Sequence, residues 1–176
     1  NDRESIGREK AGIFRANGVT VLGESNPPLS VLAQAELLQC RTWRQQQDFG
    51  YQLSDCGTLW HWHCGQLRLS DLPVPQLPLQ NIATCLTCLA ALALLPSADI
   101  VAKVLKNLTL AGRMQWLQTK PAVIVDVAHN PQSAAYLASQ LGVLSARYRQ
   151  VHALVGMLKD KDVRQSLQSV APWVQQ

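Results

Sequence analysis

PAVIVDVAHNP, residues 121–131, runs from an apolar stretch into an aspartate, a histidine and an asparagine set just ahead of a proline. The apolar run reads as a buried strand. Asn130 followed by Pro131 reads as a helix start, because asparagine caps the free N–H groups and proline suits the first helical position. Three chemically capable side chains, Asp126, His129 and Asn130, therefore fall where a strand ends and a helix begins. In a parallel α/β sheet, ligands bind beyond the carboxyl ends of the strands, facing the unpaired N–H groups of the next helix. The competing reading makes Asp126 and Asn130 plain caps and His129 an exposed loop residue, and local physics does not separate the two.

Outward from this stretch, a helix is expected from Pro131 to about Leu144, a strand at VHALVGM (151–157) and a helix from about Asp160 to Val170. That order is βαβα and predicts parallel strands with crossover helices in an α/β architecture. Upstream, RESIGREKAGIF (3–14) reads as a helix with Ile6, Ile13 and Phe14 on one apolar side, and VTVLG (19–23) as a strand. NPPLSVLAQAELLQCRTW (26–43) reads as a helix with proline in its first turn. FGYQLS, TLWHWHCG and QLRLSDL suggest a small antiparallel meander, and PVPQLPLQ (73–80) an extended connector. Residues 81–95 form a strongly apolar helix that Asn81 is expected to cap, and 98–108 another. A domain boundary is placed near Gly112, giving 1–111 and 112–176.

The bulk numbers narrow the class. With 47% hydrophobic and 16% charged residues, the 176-residue chain has the composition of an ordinary globular protein of one or two domains. No apolar run approaches a membrane span and the N-terminal NDRESIGREK has no signal-peptide core, so a cytoplasmic protein without membrane contact is expected. Five cysteines at irregular spacing predict reduced thiols. A net charge of +4 with scattered Lys and Arg gives nucleic-acid binding little support and suits an anionic small substrate. The start at Asn1 and the stop soon after a helix suggest a piece of something larger.

DVAHNP after AVIV resembles the signature at the start of the C-terminal domain in Mur-type ligases, and specifically in the folylpolyglutamate synthase/dihydrofolate synthase family. GREKAGIF (7–14), QNIATCLTCLAAL (80–92) and AGRMQWL (111–117) are similar to that family in the same order, and GMLKDKD (156–162) to a further segment of it. The resemblance implies that 1–111 is the C-terminal part of a central ATP-binding domain and 112–176 the first part of a Rossmann-like C-terminal ligase domain. It implies an ATP- and Mg²⁺-dependent ligase that joins L-glutamate to dihydropteroate or to the γ-carboxyl of a folate through an acyl phosphate. A monomer is expected. A peptidoglycan Mur ligase shares the Asp-x-Ala-His-Asn-Pro pattern and is the rival within enzymes; a non-catalytic remnant is the rival outside them.

Such chemistry must hold ATP, neutralise phosphate charge and position an amine. By the resemblance, Lys10 matches a lysine carboxylated to a metal-binding carbamate and Asn81 an asparagine that reads adenine. Arg113 matches an arginine on ATP phosphate, work that suits a forked, permanently charged guanidinium. Asp126 matches an ATP-contacting aspartate and His129 a catalytic histidine near the phosphates and the incoming glutamate, where it would orient the amine or take a proton. These residues would meet across a cleft closed by domain rotation. The family's G-x-x-G-K-[ST] phosphate loop does not occur in these residues, so the isolated chain is expected to be inactive.

Other clusters read as structure. Cys56, His61, His63 and Cys64 are zinc-ligand types without zinc spacing, and a half-buried aromatic strand accounts for them better, with His61 and His63 on one face. Cys85 and Cys88 lie inside an apolar helix and are expected to be core thiols rather than a redox pair.

Overall fold

The computed structural model describes residues 2–159 and 161–175, and the chain divides into two compact units between Leu108 and Thr109. The first unit opens with helix α1 (Arg3–Ala11), capped by the Asp2 carboxylate, which accepts the Ser5 N–H at 2.7 Å. Strand β1 (Val19–Leu22), helix α2 (Leu29–Leu37) and strand β2 (Arg41–Arg44) form a βαβ unit, with β1 and β2 parallel. The expected helix over 26–43 is therefore too long. It stops at Leu37, and RTW turns into β2, because four residues paired with β1 from Val19↔Arg41 to Leu22↔Arg44 gain a ladder that helix propensity does not outweigh.

Helix α1 is also shorter than its pattern, ending at Ala11. Its buried face is Gly7 and Ala11, while Ile6 and Ile13 stay exposed. Gly7 is where α2 comes close: a Cβ there would lie 2.8 Å from the Pro28 side chain.

The meander forms as the alternation predicts. Strands β3 (Phe49–Leu53), β4 (Leu59–Cys64) and β5 (Leu67–Pro73) pair antiparallel in that order. In β4, Trp60, Trp62 and Cys64 are buried, whereas His61 and His63 lie on the more exposed face. Helix α3 (Leu79–Ala91) packs on β1, β3 and β4, and helix α4 (Ala98–Asn107) on β5. Around the two tryptophans gather Phe49, Leu69, Leu72, Ile82, Ala83, Leu86, Val101 and Leu105. Each indole N–H finds an acceptor, Trp62 at the Ala83 carbonyl (3.1 Å) and the Thr87 hydroxyl (3.2 Å), Trp60 at the Pro73 carbonyl (3.1 Å). That lets two large polar-tipped rings be fully buried.

In the second unit, strands β6 (Gln115–Thr119) and β7 (Ala122–Val125) make an antiparallel hairpin, followed by helix α5 (Pro131–Ser145), helix α6 (Val163–Val170) and a 3₁₀ turn, Ala171–Trp173. The expected parallel βαβα ladder is corrected here. β7 pairs with the unexpected strand β6, and residues 151–157 join no ladder among the described residues. The Val151 carbonyl accepts the Gln175 N–H at 2.8 Å, but an apolar run without a strand beside it gains no ladder, so periodicity alone does not make it a strand. Helices α5 and α6 pack on one another. The α6 start is set by Asp162, whose carboxylate accepts the Gln165 N–H at 3.0 Å; Asp160, part of the expected helix start, lies outside the described residues.

Candidate functional site

Three of the five sequence-derived residues, Arg113, Asp126 and His129, sit in the second unit around the end of β7. The chain before β6 takes two left-handed residues, Gly112 (φ +68°) and Met114 (φ +44°). Gly112 is required there twice over: any side chain would be strained at that φ, and its Cβ would lie 2.7 Å from Val127 Cγ1. The Val127 N–H donates to the Gly112 carbonyl at 2.8 Å and the Gly112 N–H to Gln115 Oε1 at 2.8 Å.

Asp126 closes this arrangement. Its Oδ2 accepts the Met114 N–H at 2.9 Å and its Oδ1 the Ala128 N–H at 2.8 Å, so one carboxylate ties the 110–114 loop to the exit of β7. Arg113, a half-buried residue, is thereby held between two fixed residues, and among the described residues its guanidinium has no hydrogen-bond or ion-pair partner. A forked cation anchored through its backbone and free at its head is suited to an anionic ligand. Burial, with the Asp126 charge adding to it, pushes the Tyr136 phenol above its ordinary value.

Asn130 caps α5 as expected, with Pro131 as the first helical residue: Asn130 Oδ1 accepts the Ser133 N–H at 2.8 Å. His129 is exposed, its Nδ1 3.0 Å from the Val127 carbonyl oxygen, and its N–H donates to Ser133 Oγ at 3.1 Å. Ser133 was not singled out in the sequence, although a hydroxyl three residues after a cap is the spacing of a reciprocal capping box. The second unit also holds a cavity of about 720 Å³ lined mainly by apolar residues such as Ile124, Leu137, Leu141 and Val170; of the five candidates Asp126 alone is on its wall.

Lys10 and Asn81 belong to the first unit. Lys10 lies in the last turn of α1, its side chain 73% exposed, its Nζ 3.2 Å from Glu9 Oε1. Asn81 is exposed on α3 but does not cap it. The helix starts two residues earlier at Leu79 after Pro78, because Leu79 and Gln80 already have helical neighbours and Gln80 Nε2 donates to the Gly23 carbonyl, drawing the first turn onto β1. With its backbone inside the helix, the Asn81 side chain has no cap to make. No hydrogen bond joins Lys10 to Asn81 among the described residues.

The remaining clusters sort differently from expectation in one respect. No three His, Cys, Asp or Glu side chains converge on a metal site among the described residues, and all five cysteines are free. Cys88 is half-buried, but Cys85 faces solvent rather than the core, since it falls on the outer side of α3, opposite the buried Ile82, Ala83, Leu86 and Thr87. Cys56, at the exposed β3–β4 turn, hydrogen-bonds with the Ser54 and Thr58 hydroxyls, which pull its thiol down to about 6.

Residues 112–176, the hairpin with its Asp126–Met114 lock and the helices after it, match the Mur ligase, glutamate ligase domain. Over its whole length the chain is homologous to the dihydrofolate synthase/folylpolyglutamate synthases. It is 36% identical to the one from Haemophilus influenzae over 97% of this chain and 42% of that protein. It also superposes on a bifunctional synthase solved with Mn, AMPPNP and L-glutamate bound (TM-score 0.89, 38% identity, 100% of this chain and 42% of that one). A second similar structure is E. coli FolC in complex with DHPP and ADP (TM-score 0.90, 35% identity, 99% and 42%). The chain thus spans about two fifths of the length of the proteins it matches.

Proposed function

We propose that this chain supplies part of an ATP-dependent ligase that adds L-glutamate to dihydropteroate, to the γ-carboxyl of folates, or to both. The observation that carries the reading is the end-to-end likeness, at 38% identity, to a synthase holding Mn, AMPPNP and L-glutamate. ATP supplies the activation of the acceptor carboxylate, as an acyl phosphate. The chain's own residues would do the rest. Arg113, fixed by the Asp126–Met114 bond and free at its head, would take phosphate oxygens. Asn81 would read the adenine from the exposed side of α3, and His129 would orient the incoming amine or accept its proton.

These residues fit a nucleotide better than a metal. No three-ligand cluster stands ready among the described residues, and the ligand this chain would bring to a divalent ion is a carbamate on Lys10, which here is exposed beside Glu9. A cytoplasmic monomer belongs to the same proposal, and the five free thiols support a reducing compartment.

The test is phosphate release from ATP by a full-length protein carrying this segment. Release that requires both L-glutamate and dihydropteroate or a folate is expected. Release indifferent to glutamate, or none, would overturn the reading and favour a non-catalytic role.

A further inference from the structure

The turn that carries His129 is held by one hydroxyl. Ser133 Oγ accepts the His129 N–H at 3.1 Å and the Asn130 N–H at 3.2 Å, and it donates to the Asn130 carbonyl or to Asn130 Oδ1, each at 3.0 Å. A serine hydroxyl has one proton and two lone pairs, so every bond it can make is used inside this turn. The helix cap proper is a different bond, from the Ser133 N–H to Asn130 Oδ1 at 2.8 Å, and needs no hydroxyl. The His129 ring has its own anchor in the same turn: Nδ1 lies 3.0 Å from the Val127 carbonyl oxygen, and the Val127 N–H is held by Gly112. A carbonyl oxygen only accepts, so the neutral ring must carry its proton on Nδ1 and present Nε2 as a bare acceptor.

We infer that Ser133 is a positioning residue: by tethering the His129 backbone it keeps the ring on the Val127 carbonyl, and so fixes the tautomer in which Nε2 is free to accept a proton. The role of that proton acceptor in amide formation rests on the ligase reading above; the tautomer and the tether do not.

The experiment uses the 176-residue chain labelled with ¹⁵N-histidine, with long-range ¹H–¹⁵N correlation spectra at about pH 8.5, roughly two units above an ordinary imidazole pKa. His129→Gln identifies the signals among the four histidines. The expected result is a His129 ring protonated on Nδ1 with a pyridine-type Nε2. Ser133→Ala should shift the tautomer ratio toward the Nε2–H form by roughly two- to tenfold, the span of one neutral hydrogen bond. Ser133→Thr, which keeps the hydroxyl, should restore it. A wild-type ring carrying its proton on Nε2, or a ratio that Ser133→Ala leaves unmoved while the helical circular dichroism is intact, overturns the inference. If Ser133→Ala does not fold, Ser133→Cys, whose weakly hydrogen-bonding thiol loosens the same tether, takes its place and should shift the ratio in the same direction, an unmoved ratio there overturning the inference. Because no nucleotide or folate is present, failure here leaves the ligase reading standing, and loss of glutamate-dependent phosphate release leaves the tautomer standing.

Discussion

Arg113 and Asp126 illustrate how one carboxylate can serve a site at second hand. Both Asp126 oxygens are engaged by the N–H groups of Met114 and Ala128, so much of what this residue does for a nucleotide would pass through the loop that presents Arg113. In a full-length protein carrying this segment, Arg113→Ala and Asp126→Ala should each lower kcat/KM for ATP at least tenfold, about 1.4 kcal/mol of transition-state stabilisation. Steady-state kinetics at varied ATP checks this, and an unchanged kcat/KM in both would remove them from the site. Cys56 yields a second prediction at this scale. With its thiol lowered to about 6 by the Ser54 and Thr58 hydroxyls, its thiolate fraction rises with pH through about 6, whereas burial pushes Cys64 and Cys88 up. Iodoacetamide at neutral pH should therefore label Cys56 ahead of Cys64, with a rate midpoint near that value, read by peptide mass spectrometry.

At the scale of elements, α2 depends on a residue 25 positions away. Pro28 precedes it and offers no side-chain cap, and instead the Glu4 carboxylate accepts the Leu29 N–H at 3.1 Å and the Ser30 N–H at 2.8 Å. Those bonds, the Ser30 backbone bond first, hold Glu4 below its ordinary value of 4.5. A depressed folded-state value means the contribution is present above 4.5 and is lost as pH falls through the lower folded value. Urea unfolding should thus show Glu4→Gln less stable than the parent at pH 7, with the difference shrinking toward acid below 4.5. The α5 start at Asn130–Pro131 was legible from the sequence because a cap is a local event, whereas this borrowed cap was not, since its donor and acceptor lie on different helices. The same contrast separates β4, whose alternation exposes its period directly, from β2, whose RTW has no pattern of its own and becomes a strand only beside β1.

For the whole molecule, the tryptophan pair at the centre of the first unit is the feature on which stability turns. Trp62→Ala would remove a ring buried against α3 and leave the Thr87 hydroxyl and Ala83 carbonyl without their indole donor, at a cost of about 3–5 kcal/mol measured by urea unfolding. The sequence by itself determined the family likeness, the turn chemistry from Asp126 to Pro131, the antiparallel meander and which face of β4 is buried. All of these are written in residues close along the chain, where period, cap and turn preferences act. Only the tertiary structure decided that β2 lies parallel to β1, that β7 takes β6 rather than 151–157 as its partner, that Asn81 sits inside α3, and that Asp126 grips the Arg113 loop. Those outcomes depend on which distant backbone groups find one another once the apolar surfaces close. A ladder or a borrowed hydrogen bond has two ends, and the local pattern describes one of them.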